Sequence, residues 1–416
     1  MIGIFTLKSS NRLKYVLDFC FLEKGEEYQI IDSEDQWLEF EGVKFNYSNL
    51  SVDCDFEIEP SGLLFETDID KYLKLEMSGK KLSLRGDTDM LGVIFYLLSR
   101  YEEYLDHEKD QHGRFTSEQS MQSELGVLRE PVCDYIVMKL WRKLGLDYQS
   151  VKDRFECVPS FDIDIAWAYK NRPLWRKLGA FKNGRIFERL GVLLGLKKDP
   201  YDTYSKIIEI SSIVNRIICF APVSDYGKND KNISYKNENY RSLIRGLNSD
   251  GGLGLHPGYN SYMNPEIISV EKERIEDILG HDMKKSRFHF LRFEIPRSYR
   301  LMIELDFTKD YSMGYADNVG FRAGTSFPFY FFDLTTNTRQ DYLIFPFVYL
   351  DNGLKDYMKL SPERALELVQ KMMNHVKEVG GLFMCIWHNH TITNKGEWNG
   401  WYEVLQKTVE WGKPQS

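Results

Sequence analysis

Two carboxylates stand one residue apart where a short apolar run ends, near the middle of the chain. Residues 157–161 form the run, and Asp162 and Asp164 follow it with Ile163 between them. Successive side chains of a regular strand point to opposite faces, so the two carboxylates can share a site only if the chain leaves the strand here. One of them would then bind a metal ion and the other would hold a proton. An isolated Asp-x-Asp at a strand end is common, so alone it is weak evidence.

Three histidines come at or near the ends of later apolar runs. His256 is followed directly by proline and glycine, which hold it in a turn and aim its imidazole over the end of its strand. His289 lies within the apolar run 288–293, where a ligand role and a core role are both open. His388 ends the run 382–388, and a general acid is favoured there over a polar strand end. Neutral imidazole together with carboxylate suits Zn²⁺ and similar ions.

The elements that must position these residues are strands that alternate with helical or loop segments. The strand-like runs in the second part of the chain are 157–165, 216–220, 253–256, 288–293, 307–311, 342–350 and 382–388. Such alternation favours parallel strands, and seven or eight of them favour a (β/α) barrel, whose chemistry lies at the C-terminal strand ends. We therefore predict a (β/α) barrel of seven or eight strands over residues 155–416.

The first 150 residues also alternate strands with helices but show little sign of chemistry. The predicted strands are 2–7, 27–31, 43–47, 56–59 and 63–66, and the predicted helices are 11–21, 89–104 and 132–144. We predict a smaller α/β domain over residues 1–150, of unknown role. The charged stretch 100–104 and the stretch 110–115 are interpreted as a solvated helix face and a polar loop rather than a ligand surface. No glycine-rich phosphate loop is present, so no nucleotide site is predicted.

Composition limits the class of protein. The length of 416 residues favours two domains, and a net charge of −8 argues against a nucleic-acid partner. Six dispersed cysteines predict free thiols and a reducing compartment. The N-terminus has no signal-peptide pattern, and no apolar run reaches the ~20 residues of a membrane span. A cytoplasmic location is the expectation.

The segment 170–200 is basic and amphipathic. This pattern has three interpretations: contact with a membrane surface, contact with an anionic glycan, and a helical lid whose apolar face packs on the barrel. The lid is favoured, because the rest of the chain is negatively charged.

The order of the motifs resembles the polysaccharide deacetylase family of carbohydrate esterases. The matching motifs are Ser160-Phe161-Asp162-x-Asp164, then Gly254-Leu255-His256-Pro257, then a last apolar strand that ends in His388. The resemblance is to a divergent branch with an extra N-terminal domain. It implies a distorted seven- or eight-stranded (β/α) barrel, a divalent metal that is usually zinc, and removal of N- or O-acetyl groups from a sugar or polysaccharide.

The resemblance also implies roles for individual residues. Asp162 takes the position of the catalytic base, and Asp164 is expected on the metal, although the inserted Ile163 leaves the reverse assignment open. His388 takes the position of the general acid.

The second motif departs from the family pattern, which is His-x-x-x-His-Pro. His256 matches its first metal ligand, but Asn260 stands where the second histidine is expected. His289 is our candidate for the missing ligand, because residues 287–292 occupy the place of the family's third motif.

Four more residues are predicted to contact the substrate, and they are Tyr259, Arg292, Arg322 and Trp387. Either arginine would orient Asp162 or bind an anionic sugar, and a structural charge is an equal alternative. Three functions stay open: a metal-dependent deacetylase, an inactive deacetylase-like glycan-binding module, and a glycosyltransferase that uses Asp-x-Asp.

Overall fold

The computed structural model describes residues 1–79, 81–172, 186–249 and 251–414. Part of the basic stretch 170–200 that was predicted as a lid, residues 173–185, lies outside the described residues. The strands are β1 (Ile2–Phe5), β2 (Tyr28–Ile31), β3 (Val43–Asn46), β4 (Phe56–Glu57), β5 (Leu75–Ser78), β6 (Lys81–Leu84), β7 (Glu156–Asp162), β8 (Ile218–Ala221), β9 (Leu253–Leu255), β10 (Lys285–Ser286), β11 (Lys309–Asp310), β12 (Phe329–Asp333), β13 (Thr338–Ile344), β14 (Tyr349–Leu350) and β15 (Leu382–His388).

The α-helices of the described residues come both before and after β7 in the chain. They are Asn11–Cys20, Glu34–Glu39, Met90–Leu98, Met121–Glu124, Val132–Lys143, Gln149–Lys152, Ile186–Leu193, Tyr204–Ser211, Glu238–Leu247, Pro265–Leu279, Arg297–Glu304, Pro362–Val379 and Trp401–Trp411. No helix in the described ranges is both long and apolar enough to cross a membrane. All six cysteines are free, as predicted.

The first part of the chain builds a four-stranded parallel sheet in the order β2-β1-β3-β4. The predicted strand 63–66 is wrong, since Leu63–Phe65 is a single 3₁₀ turn, and the antiparallel hairpin β5–β6 was not predicted. The predicted helix 89–104 ends at Leu98, because Arg100 has a φ of 53° and such a left-handed residue does not continue an α-helix.

A nine-stranded sheet forms the second part, in the order β12-β13-β11-β10-β9-β8-β7-β15-β14. Its strands run parallel except β12, which pairs antiparallel with β13 at one edge. The sheet curls into a half-barrel, which is consistent with the predicted α/β barrel in its coarse form. The predicted count of seven or eight strands is not confirmed, since this sheet has nine. The strand β12 was not predicted, and the run 342–350 divides into the end of β13 and the separate strand β14.

The predicted strand 288–293 is also wrong. Strand β10 ends at Ser286, and the chain then turns through Phe290 and Leu291, which have φ angles of 60° and 52°. Two successive left-handed residues are incompatible with a strand, and such backbone conformations often occur at functional sites. The turn carries His289 toward the end of the sheet.

Side chains from both parts of the chain pack into one apolar core that extends from Ile2 to Val409. Hydrogen bonds join the parts as well. The Tyr15 hydroxyl donates to the Tyr330 carbonyl at 2.7 Å, and the Cys133 amide donates to the Gly324 carbonyl at 2.8 Å. The first 150 residues therefore pack directly on the half-barrel, and the domain boundary near residue 150 stays a prediction.

Candidate metal centre

Five predicted residues meet at one end of the large sheet. Asp162 ends β7, Asp164 lies two residues beyond it, and His256 follows β9 directly. His289 follows β10 by three residues, and His388 ends β15. The strands β10, β9, β8, β7 and β15 are adjacent and parallel, so their C-terminal ends lie side by side. The register pairs His388 with Asp162, which confirms that the last strand lies beside β7.

The two aspartates converge because the chain leaves the strand between them. Strand β7 ends at Asp162, Ile163 is fully buried in the core, and Asp164 stands in the turn that follows. Both carboxylates line a cavity of about 140 Å³.

Asp164, His256 and His289 bring three donor atoms within 4.8 Å of one another. The His256 Nε2 atom lies 3.3 Å from Asp164 Oδ1, and the His289 Nε2 atom lies 3.3 Å from Asp164 Oδ2. Two ligands of a tetrahedral zinc ion, each roughly 2.1 Å from it, lie about 3.4 Å apart. The spacing of these donors therefore fits such an ion.

Each of the two histidines is oriented through its other ring nitrogen. The His256 Nδ1 atom donates to the Arg287 carbonyl at 2.6 Å, and the His289 Nδ1 atom donates to Asp230 Oδ1 at 2.9 Å. A carbonyl accepts and cannot donate, so the proton of neutral His256 lies on Nδ1. This tautomer leaves the Nε2 lone pair toward Asp164, which is the arrangement of a metal-binding histidine.

Two buried atoms of the centre are suited to bind a cation. Asp164 Oδ1 and His256 Nε2 are buried and have no hydrogen-bond partner among the described residues. Unsatisfied buried polar atoms are rare in folded proteins, since each costs about 1–3 kcal/mol. A carboxylate oxygen and an imidazole lone pair that face each other are both ligands for a divalent ion.

The carboxylates and imidazoles of this centre shift one another's pKa values. Burial would raise the pKa of Asp164, but His289, His256 and His388 hold it well below its usual range. Burial would likewise lower the pKa of His289, but the carboxylates of Asp164 and Asp230 raise it to about 9. A metal ion and a proton therefore compete for His289 Nε2, and metal affinity is expected to rise with pH.

Asp162 is held by a buried guanidinium. Arg287 Nη1 donates to Asp162 Oδ1 at 2.7 Å, and Arg287 Nη2 donates to Ser160 Oγ at 2.8 Å. Arg287 is fully buried, and its Nε atom donates to the Tyr311 carbonyl at 3.0 Å. The pairing occupies the Oδ1 atom of Asp162 and leaves its Oδ2 atom at the cavity.

His388 pairs with the buried carboxylate of Asp351, which follows β14 directly. Its Nδ1 atom donates to Asp351 Oδ1 at 2.8 Å, and its Nε2 atom lies 3.5 Å from Asp164 Oδ2. Burial would lower the pKa of His388, but the Asp351 and Asp164 carboxylates raise it to about 10. The ring is therefore an imidazolium at neutral pH and is able to donate a proton.

The four predicted substrate contacts lie outside this cavity. Arg322 donates to the Glu103 carboxylate at 2.6 and 2.9 Å, so it does not orient Asp162. Arg292 donates to the carbonyls of His112 and Tyr259. Trp387 is fully buried, and its indole N–H points to the Tyr349 hydroxyl at 3.3 Å.

Tyr259 contacts His112 at 3.2 Å through its hydroxyl, beside the cavity rather than in its lining. Asn260, where the family pattern has its second histidine, is exposed and lines a separate outer cavity. His289 supplies an imidazole to the centre from a different loop.

A residue from the first part of the chain does line the cavity. Arg114 is buried, and it donates to the Phe290 carbonyl at 3.0 Å and to the Tyr357 hydroxyl at 2.8 Å. Asp110 accepts from its Nε atom at 2.8 Å. The interpretation of residues 110–115 as a polar surface loop is thus wrong for Arg114, which seals one side of the site.

Arg287, Asp230 and Asp351 were also not assigned to the site from the sequence. Asp351 was visible as a polar residue at a strand end, and Arg287 lies in the stretch that resembles the family's third motif. Asp230 lies in a polar loop with no periodic pattern, so no signal in the sequence indicated it.

Comparison with known proteins gives limited similarity. A model described as a family of unknown function (DUF7033) matches residues 2–149. No curated protein matches the chain. The solved structures that match include a Mycobacterium smegmatis protein assigned as a polysaccharide deacetylase (16% identity, 61% of this chain and 84% of that one, TM-score 0.40). They also include PuuE allantoinase (13%, 62% and 84%, TM-score 0.40) and a Pseudomonas aeruginosa PAO1 protein assigned as a polysaccharide deacetylase (14%, 62% and 85%, TM-score 0.39).

Proposed function

We propose that this chain is a metal-dependent hydrolase that removes an acetyl group from a sugar or polysaccharide. One observation carries the proposal: a carboxylate and two imidazoles with metal-ligand spacing lie between an arginine-held carboxylate and a carboxylate-held imidazolium. The motif resemblance supports acetylated sugars as the substrate class. We further propose that residues 155–416 carry the chemistry, while the domain of residues 1–150 completes the cavity through Arg114.

Asp164, His256 and His289 would hold the ion. One carboxylate and two histidines form a three-residue ligand set of the kind that catalytic zinc sites use, with a further position open to the substrate. When bound, a divalent cation such as Zn²⁺ would polarise the scissile carbonyl and ease the deprotonation of water. The Arg287 carbonyl and the Asp230 carboxylate keep the two Nε2 atoms available by accepting hydrogen bonds from the Nδ1–H groups.

Asp162 acts as the base. Its Oδ1 atom is occupied by Arg287, and its Oδ2 atom lies 3.7 Å from His256 Nε2, next to the ligand set. It is therefore positioned to accept the proton of the attacking water, while Arg287 stays fixed by Ser160 and the Tyr311 carbonyl.

His388 acts as the acid. The Asp351 carboxylate orients the ring and stabilises its charge, and the Nε2–H faces the cavity. Protonation of the departing nitrogen or oxygen at this atom makes it a good leaving group. Base and acid thus stand at the ends of two paired strands, on either side of the reacting carbonyl.

The cavity limits the acyl group. At about 140 Å³ it is smaller than the ~300–1,000 Å³ of typical ligand pockets. Phe288, Leu350 and Ile386 supply apolar surface beside the charged groups. A short acyl group such as acetyl fits this chamber, and the sugar must lie outside it.

The alternatives receive less support from the geometry. An inactive module was suggested by the missing second histidine, but His289 brings a second imidazole to Asp164. A glycosyltransferase would use both carboxylates of Asp-x-Asp on one ion, whereas Asp162 is paired with Arg287.

The test combines metal content with acetate release from a panel of N- and O-acetylated glycans. We expect close to one bound ion per chain after dialysis against zinc, and acetate release that depends on it. Asp164→Ala should lose both. Asn260→Ala is the matched control, because Asn260 is exposed and outside the cavity, and it should retain both. Bound zinc without acetate release from any glycan would contradict the proposed activity.

A further inference from the structure

The helix Ile186–Leu193 and the turn after it expose an unusual amount of apolar surface. Five of the seventeen large apolar side chains that are exposed in the described residues lie within ten positions here. Their exposed fractions are 86% for Phe187, 48% for Leu190, 40% for Leu193, 70% for Leu194 and 78% for Leu196. We call these five side chains the apolar face.

The apolar face is a regular feature of the helix. At 100° per residue, Phe187, Leu190, Leu193 and Leu194 fall within a sector of about 120°. The amide of Leu194 donates to the Leu190 carbonyl at 2.9 Å, so helical bonding continues past Leu193. Val192 lies outside that sector and is buried, with 2% of its surface exposed.

This arrangement corrects part of the lid interpretation. A lid was expected to turn its apolar face onto the barrel. Among the described residues the helix instead packs through Gly191 and Val192, and it presents the apolar face to solvent. An exposed cluster of this kind marks an interaction site more often than a bare surface.

The part of the sequence that carries the apolar face is rich in positive charge, and five of its nine basic residues lie in the described part of the chain. In the sequence, residues 170–198 contain nine lysines and arginines and one acidic residue, Glu188, in a chain whose net charge is −8. Lys197 and Lys198 are exposed beside Leu196. The aliphatic stem of Lys197 lies over Gly191, which leaves its ammonium group at the edge of the face. The rest of the chain carries a net negative charge, so this segment differs from it in the sign of its charge.

We propose that the apolar face docks on the surface of a lipid bilayer that contains anionic lipids. Leucine and phenylalanine on one side of a helix with lysine and arginine around it are the features of an interfacial helix. The apolar side chains would enter the boundary between headgroups and acyl chains, and the basic residues would pair with anionic headgroups. A protein partner would explain the apolar side chains but gives no reason for so uniform a positive charge.

The position of this surface bears on the substrate, an extension that rests on the proposed function. Glu188 and Arg189 of the same helix line a cavity of about 780 Å³, together with Trp398, His390 and Asn352. Asn352 also lines the reaction cavity, so the two cavities adjoin. Glu188 and Arg189 lie outside the sector of the apolar face, so docking would bring this cavity within one helix diameter (~10 Å) of the membrane, where a membrane-attached glycan is presented.

Vesicle co-sedimentation of the full-length protein tests the docking without using activity. The probes are vesicles of phosphatidylcholine alone and of phosphatidylcholine with 30% phosphatidylserine. Binding to the mixed vesicles, weaker in high salt and weak on pure phosphatidylcholine, is expected. The double variants Phe187→Ser with Leu194→Ser, and Lys197→Glu with Lys198→Glu, should each lower the partition coefficient by about tenfold or more.

Matched controls lie on the first part of the chain, where Lys71, Tyr72 and Lys74 are exposed. Lys71→Glu with Lys74→Glu, and Tyr72→Ser, should bind vesicles like the wild type. Thermal melting checks that every variant is folded.

The proposal is overturned if the wild type does not sediment with mixed vesicles, or if the controls weaken binding as much as the variants of the face. It is also overturned if sedimentation velocity shows a dimer that Phe187→Ser with Leu194→Ser dissociates, since a second copy would then cover the face. A wild-type protein that binds the mixed vesicles but releases no acetate would instead count against the proposed function alone.

Discussion

Two clusters of buried charge lie in the same fold and differ in how fully they are paired. In the first, Glu103 accepts from Arg322 at 2.6 and 2.9 Å and from Arg100 at 2.8 Å. Arg100 also pairs with Glu102 at 2.7 Å, so each of these charges has a partner. In the second, Asp164 meets imidazole rings, and its Oδ1 atom has no hydrogen-bond partner in the described part of the chain.

The difference separates a structural cluster from a functional one. A buried charge network that is fully paired joins residues 100–103 to the loop around Arg322, and breaking it leaves a charge uncompensated. A buried site with unpaired ligand atoms is unfavourable for the protein alone and becomes favourable when a cation binds. The first cluster should therefore govern stability, and the second should govern metal binding and activity.

Asp162→Asn should have the largest effect, which is the loss of acetate release. The amide cannot take a proton from water, so acetate release should fall by about 10²–10⁴-fold, which is the usual contribution of a general base. Zinc content should stay close to that of the wild type, whereas the free energy of unfolding should fall by about 3–5 kcal/mol, because the fully buried Arg287 loses the counter-charge of Asp162. Activity above a tenth of the wild-type rate would remove Asp162 from the role of base.

Glu103→Gln should lower the stability of the fold and leave zinc binding unchanged. It leaves Arg322 and Arg100 without their shared counter-charge in a buried place, so the free energy of unfolding should fall by about 3–5 kcal/mol. Urea unfolding measures this loss, and isothermal titration should find an unchanged zinc affinity in the folded variant. A weaker zinc affinity would show that the two clusters are coupled and that the comparison fails.

Asp230→Asn should weaken metal binding without abolishing it. The asparagine oxygen still accepts from His289 Nδ1, but the carboxylate charge that supports the ring is lost. Partners of metal-bound histidines typically contribute 10–100-fold in affinity, so a zinc Kd about tenfold or more higher is expected. Asp225→Asn is a suitable control, because Asp225 is exposed in the same loop. Equal zinc affinity in both variants would argue against an orienting role for Asp230.

Acid unfolding should show the smallest effect and sharpen the assignment of Glu103. Burial would raise its pKa, but Arg322 and Arg100 lower it from 4.5 to about 2. Since the folded-state pKa lies below the unfolded one, this stabilisation is complete above about pH 4.5 and is lost as the pH falls toward 2. Unfolding free energies measured across this range should depend less on pH in Glu103→Gln. An identical slope in the two proteins would contradict the ion pairing.

The sequence indicated the functional cluster far better than the structural one. Asp162, His256 and His388 were found because polar residues after apolar strands meet at one end of a parallel sheet. Arg100 and Glu103 were interpreted as a solvated helix face, since a charged pair three residues apart looks the same in water as in a core. Their long-range partner Arg322 lies more than 200 residues away in the sequence, so no local pattern indicates the pairing.

Other parts of the site depend on tertiary structure that no local pattern shows. The left-handed φ of Phe290 turns a stretch that looks like a strand into the loop that carries His289. Arg287 is basic and was not expected in a core, yet three acceptors surround it. Asp230 and Arg114 reach the site from separate loops. The barrel was predictable from alternation, whereas β12 was not, because it joins the sheet antiparallel.

Zinc titration by calorimetry, with wild type beside Asp164→Ala, tests the central claim most directly, with thermal melting of both metal-free proteins. We predict one zinc site per chain in the wild type and no such site in Asp164→Ala, and the melting curve should show that the metal-free variant is folded. A folded variant that binds zinc as tightly as the wild type would contradict the claim that Asp164 holds the ion.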